Sequence, residues 1–191
     1  MLQSICVYCG SQKGANLAYQ TATEMFGKLM AEQSIRLIYG GGNVGLMGIV
    51  AESVMVHGGE AVGVIPRFLV EREVGHTGLT QLHVVESMHE RKELMASLAD
   101  GFVILPGGIG TLEELFEVFT WKQLNLHNKP IGILNVAGYY DALLAFLQHS
   151  VAQGFLQEDT LSYLLVETNP AILLQKMLAY QPTRAFDKEK I

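Results

Sequence analysis

Short runs of β-branched and aromatic residues alternate along this chain with longer segments whose apolar positions recur at helical spacing. The runs predict strands at 4–8, 35–39, 60–65, 82–85, 101–105, 130–134 and 163–167. The amphipathic segments predict helices at 17–33, 45–58, 88–99, 112–126, 139–153 and 170–179. In the first helix, Leu17, Ala22, Met25, Phe26, Leu29 and Met30 form the expected buried stripe. Regular alternation with crossovers of this length means βαβ units and a parallel sheet. The expected fold is a Rossmann-like, three-layer α/β fold of about seven parallel strands with helices on both faces. One α/β domain is expected over 1–181, followed by a polar tail over 182–191. The segment from Pro66 to Thr80 has little periodicity and carries Arg67, Glu71, Arg72, Glu73 and His76, which reads as a long loop at a strand end.

Glycine turns follow three of the strands. Tyr8 runs into Cys9-Gly10-Ser11, and Tyr39 into Gly40-Gly41-Gly42-Asn43-Val44-Gly45. Leu105 runs into Pro106-Gly107-Gly108-Ile109-Gly110-Thr111-Leu112-Glu113-Glu114. In a parallel sheet all strand C-termini lie along one edge, where ligands bind. Three such turns predict one crevice. The third is the most informative: its glycines let backbone approach a ligand, and it delivers the free N–H groups of a helix start, an anion site. Glu114 follows one turn inside that helix.

Each motif also has a structural reading. Thr111-Leu-Glu-Glu114 fits a capping box with Thr111 at the N-cap, and Ser87-Met-His-Glu90 fits the same pattern one helix earlier. For Glu90 the cap is preferred; for Glu114 the glycine context favours a functional role. Arg91 and Lys92 open the helix after the fourth strand, where cations oppose the helix dipole. An anionic ligand or a facing carboxylate would explain them, while the plain reading is a solvated pair, better suited to Lys92 than to Arg91. Gly40-x-Gly42-x-x-Gly45 matches a dinucleotide fingerprint, but the acidic residue expected at the end of the next strand is absent: that strand ends in Pro66-Arg67, and Glu60 lies at its wrong end. Cys6 and Cys9 are three apart on a strand and so face opposite sides, as structural cysteines rather than a redox or zinc pair. His57, His127 and His149 follow or end helices and read as surface residues, and Phe119 and Trp121 as packing or subunit contacts. No metal and no cofactor are expected.

Composition narrows the classes further. The chain has 191 residues, 49% hydrophobic and 17% charged, with a formal net charge of −6. That composition suits buried parallel strands, and without a Lys/Arg cluster a nucleic-acid partner is not expected. No apolar run reaches the roughly 18–20 residues that span a bilayer. Met1 leads directly into a strand-like segment, so a cytoplasmic location is expected.

Taken together, the glycine turns, the Met88–Lys92 helix start, the PGGxGTxxE stretch and Thr120-Trp-Lys-Gln-Leu124 resemble the Lonely Guy family of phosphoribohydrolases, long mislabelled as lysine decarboxylases. The likeness covers nearly the whole chain. It implies hydrolysis of the N-glycosidic bond of an adenine-type nucleoside 5′-monophosphate, N6-prenylated (cytokinin) or plain AMP, to free base and ribose 5-phosphate, by a homodimer. It puts Arg91 and Glu114 at the catalytic positions and Gly107, Gly108, Gly110 and Thr111 in the phosphate turn. Ser11, Gly42, Met88 and Lys92 fall with them around the nucleotide. Two other readings remain: a binding module similar to molybdenum-cofactor carriers, and a dinucleotide oxidoreductase weakened by the missing acid. Retention of both Arg91 and Glu114 favours the enzyme. Nothing resembles a pyridoxal-phosphate lysine site, so the decarboxylase label lacks support.

Overall fold

The computed structural model describes residues 2–70 and 78–182. Most of the charged part of the Pro66–Thr80 segment (Glu71, Arg72, Glu73 and His76) and nearly all of the tail therefore lie outside the described residues. Seven strands form one all-parallel sheet: β1 (Ser4–Tyr8), β2 (Arg36–Tyr39), β3 (Ala61–Pro66), β4 (Gln81–Val85), β5 (Gly101–Ile104), β6 (Ile131–Leu134) and β7 (Leu164–Glu167). Their spatial order is β4-β3-β2-β1-β5-β6-β7. The chain builds outward from β1 to β4, then returns to the other side of β1 with β5. β1 pairs with β2 on one side and β5 on the other, with Cys6 opposite both Ile38 and Phe102.

The helices are α1 (Leu17–Glu32), α2 (Gly45–Val56), α3 (Arg67–Val70), α4 (Met88–Leu98), α5 (Ile109–Gln123), α6 (Asp141–Ala152), α7 (Glu158–Leu161) and α8 (Pro170–Leu178). Residues that alternate along each strand divide the core between two layers. On one face Ile5, Val7, Leu37 and Tyr39 pack with Phe26 and Met30 of α1, Val50 of α2 and Leu173 of α8. On the other, Cys6, Tyr8, Phe102 and Ile104 pack with Met95 of α4, Leu115 and Val118 of α5 and Leu147 of α6. Cys6 and Cys9 fall in opposite layers, as their spacing predicts, and both are free and buried. Burial pushes both thiols well above the ordinary range, which makes them poor nucleophiles.

All seven predicted strands and six predicted helices are present, with ends shifted by up to three residues. Two four-residue helices, α3 and α7, have no periodicity to reveal them. Leu17 and Met25 lie exposed, so the α1 stripe is narrower than expected. His127 is half-buried rather than at the surface: its ring bonds the Val118 carbonyl at 2.9 Å, and burial lowers its pKa to about 4. No helix among the described residues is long and apolar enough to cross a membrane. The apolar face of α4 is covered by the sheet, whereas α5 leaves Ile109 and Phe116, two turns apart, exposed, with Leu124 at its end.

Candidate active site

The sheet order reverses at β1 and β5, and in open α/β sheets ligands bind beyond the strand ends at that point. The two exits here come within hydrogen-bonding distance of each other. The Gly10 N–H donates to the Pro106 carbonyl at 3.0 Å, and the Leu105 N–H to the Tyr8 carbonyl at 2.9 Å. The Leu46 N–H, in the first turn of α2, donates to the Gly10 carbonyl at 3.0 Å and draws the third turn in. Close approach is possible because side chains are missing where the turns cross. A Cβ on Gly107 would stand 2.1 Å from the Thr111 hydroxyl oxygen and 2.8 Å from the Gly10 nitrogen.

A cavity of about 270 Å³ opens above this junction, near the small end of the roughly 300–1,000 Å³ typical of ligand pockets. Of the ten residues singled out in the sequence, seven line it: Ser11, Met88, Arg91, Gly108, Gly110, Thr111 and Glu114. Gly107, in the same turn, is not among the lining residues. Gly42 is buried off the cavity, and the second glycine turn contributes Gly40 instead. Tyr8, Cys9, Met47, Met95 and Glu113 also line the wall and were not singled out. A larger concavity of about 830 Å³ lies between α1 and α2 and contains none of the ten.

Helix α5 begins at Ile109, three residues earlier than the apolar pattern indicated, with Gly108 as its N-cap and no side-chain cap. Thr111 is therefore inside the first turn and Glu114 well inside the helix. The capping box read from Thr111 and Glu114 does not form. At α4 the cap is real: Ser87 accepts from the Glu90 N–H at 3.1 Å. Glu90 reaches back to the N–H of Glu86, at 2.9 Å, instead of closing the box on Ser87.

Arg91 and Lys92 are both buried, which corrects the solvated reading. The Arg91 guanidinium spans strand ends, with Nε donating to the Val64 carbonyl at 3.0 Å and Nη2 to the Gly40 carbonyl at 2.8 Å. Gly40 is required for this, since a Cβ there would sit 2.1 Å from Nη2. Lys92 does not line the cavity; it bridges Glu113, which does, and Glu117, at 2.5 and 3.0 Å. Burial would depress its pKa, but the bonds to both carboxylates outweigh that and raise it. Facing carboxylates, not a ligand, thus account for one of the two cations that oppose the α4 dipole.

Glu114 stands between these charges. Burial of its carboxyl raises its pKa to about 7; the Arg91 charge opposes the rise, while Glu113 adds to it. The site therefore holds a carboxylate that titrates near neutrality in one wall, with the free N–H groups of a helix start in another. Glu60, the acid a dinucleotide site would need, pairs with Arg36 at 2.8 Å where β3 begins, at the opposite edge of the sheet.

Comparison with known proteins gives the family. The model described as "Possible lysine decarboxylase" matches residues 47–177. A cytokinin riboside 5′-monophosphate phosphoribohydrolase, LOG, of Oryza sativa subsp. japonica is 47% identical over 93% of this chain and 74% of its own. The chain belongs to the Lonely Guy family. A Rhodococcoides fascians member, also a cytokinin riboside 5′-monophosphate phosphoribohydrolase, is 47% identical over 86% of this chain and 83% of its own. The fold extends beyond this family. The molybdenum cofactor carrier protein of Chlamydomonas reinhardtii superposes with a TM-score of 0.70 over 94% of this chain and 100% of its own, at 18% identity. That likeness speaks to the fold alone.

The Glu114 carboxyl has a measurable thermodynamic signature. Its pKa in the folded chain, about 7, exceeds the ordinary value of 4.5. Between those values the fold holds a proton that the unfolded chain has lost, so stability falls as pH rises through the window. Glu114→Gln removes this dependence. The unfolding midpoint of Glu114→Gln relative to wild type is expected to be higher at pH 8 than at pH 4.5. A difference that is flat or reversed between those pH values contradicts the buried carboxyl.

Proposed function

We propose that this chain hydrolyses the N-glycosidic bond of an adenine-type nucleoside 5′-monophosphate, releasing free base and ribose 5-phosphate. The substrate is the N6-prenylated cytokinin nucleotide or AMP itself. The observation that carries the reading is the shared cavity of Glu114, Arg91 and the α5 N-terminus. The relatives named above supply the reaction class.

In this reading the 5′-phosphate sits on the Gly108–Thr111 turn, where N–H groups and the helix dipole meet its charge. Breaking the C1′–N bond builds positive charge on the ribose ring, as in O-glycoside hydrolysis. Ionised Glu114 stabilises that charge or takes a proton from the attacking water, whose oxygen bonds to C1′ as the base leaves with the bond electrons; the proton that the water gives up, passed on by Glu114 or by solvent, ends on the base. Arg91 is held by two carbonyls, and its charge keeps burial from raising the Glu114 pKa further. Lys92 acts through Glu113 rather than on the substrate. No metal or cofactor enters this scheme. The two free, buried thiols fit a cytosolic enzyme.

The experiment is incubation with AMP, isopentenyl-AMP and adenosine, following free base. Rates on the monophosphates are expected to exceed the adenosine rate greatly, and equal rates would contradict the phosphate role. Glu114→Gln is expected to fold and to lose roughly 10²–10⁴-fold in turnover. A variant that folds, binds AMP and keeps most of its turnover would overturn the catalytic role of Glu114.

We further propose that the protein is a homodimer with nucleotide, not nucleic acid, as its ligand. The exposed apolar residues Ile109, Phe116 and Leu124 of α5 and its end support a self-complementary two-fold contact. Light scattering at micromolar concentration is expected to give twice the chain mass; a monomer would contradict the dimer.

A further inference from the structure

The Tyr139 hydroxyl donates to the Gly107 carbonyl at 2.6 Å. The peptide that follows is planar and trans, so its C=O and N–H point in opposite directions. A donor that holds the Gly107 oxygen therefore fixes the direction of the Gly108 N–H. Gly108 lines the cavity, whereas Tyr139 stands behind the turn, outside the lining. The preceding peptide is fixed in the same way, because the Pro106 carbonyl accepts from Gly10. Two successive peptide planes of the turn are thus held by their oxygens.

Tyr139 is 41% exposed, and its ring packs against two other tyrosines. Its ring meets Tyr140 edge-on at 4.8 Å and Tyr19 edge-on at 5.5 Å. The Tyr140 hydroxyl donates to the Leu105 carbonyl at 2.7 Å, and its N–H to the Asn135 side-chain oxygen at 2.7 Å. Asn135 in turn donates to Asp141 at 2.7 Å. The 3₁₀ turn Val136–Gly138 reaches this position with Ala137 at φ +51°, a backbone conformation that residues with a side chain seldom adopt.

We propose that Tyr139 is a positioning residue for the phosphate turn: its hydroxyl aims the Gly108 N–H at the 5′-phosphate without touching the substrate. The inference rests on the phosphate reading above. Tyr139→Phe keeps the ring between Tyr19 and Tyr140 and removes only the donor. Ribose 5-phosphate binding, measured by calorimetry on wild type and variant, is expected to weaken roughly two- to tenfold, the worth of one hydrogen bond. The KM for AMP is expected to rise by a similar factor while kcat and the unfolding midpoint stay near wild type. A variant that binds ribose 5-phosphate as tightly as wild type, or one whose whole loss is in kcat, overturns the positioning role. Wild-type protein that binds no ribose 5-phosphate overturns the phosphate reading itself, and the positioning role with it.

Discussion

One hydrogen bond, from Gly10 to the Pro106 carbonyl, marks the constraint on which the rest of this site depends. It requires the exits of β1 and β5 to meet where the sheet order reverses, and they meet only because no side chain intervenes. A Cβ on Gly107 would collide with Thr111 and crowd Gly10. With the exits joined, α5 starts at once, its free N–H groups open toward the cavity, and Glu114 is carried one turn deeper into the wall. Separating the two turns would lose the helix-start donors and the buried carboxyl together.

The charges around the cavity divide into two sets. Lys92 is consumed by Glu113 and Glu117, so it locks α4 to α5. Arg91 instead donates to the carbonyls of Gly40 and Val64 and, among the described residues, makes no direct bond to a carboxylate. That charge faces a buried carboxyl whose pKa burial has raised to about 7. The balance matters for the proposed chemistry. A fully solvated carboxylate would be ionised at neutral pH but poorly placed to meet a charge on the sugar, and one buried without a cation would stay protonated.

The layered architecture was legible from the chain because buried parallel strands leave short β-branched runs and glycine exits leave visible breaks. The site was legible in outline for the same reason, since Gly108, Gly110, Thr111 and Glu114 are adjacent in sequence. Departures occur where local signals mislead. The apolar pattern marks α5 only from Leu112, three residues late, because Gly110 interrupts it over the first turn, and Thr111 then resembles an N-cap. Similarly, Tyr139 and Tyr140 extend the amphipathic pattern of α6 but precede the helix, where their hydroxyls bond the Gly107 and Leu105 carbonyls. Lys92 looked like a solvated charge because its partners lie 21 and 25 positions ahead. The sequence shows Gly40 as one of a run of turn glycines, but its bond with Arg91, 51 positions away, arises only in the fold.

In the proposed reaction, ionisation of one buried carboxyl, Glu114, governs hydrolysis. It is tested most directly by kcat/KM for AMP measured from pH 5 to 9 on wild type and Glu114→Gln. The substrate phosphate titrates near pH 6 in both, so the difference between the two profiles isolates the enzyme group. The wild-type advantage is expected to grow as pH rises through about 7 and then to level off. An advantage that is constant across the range, or one that shrinks above pH 7, would contradict it.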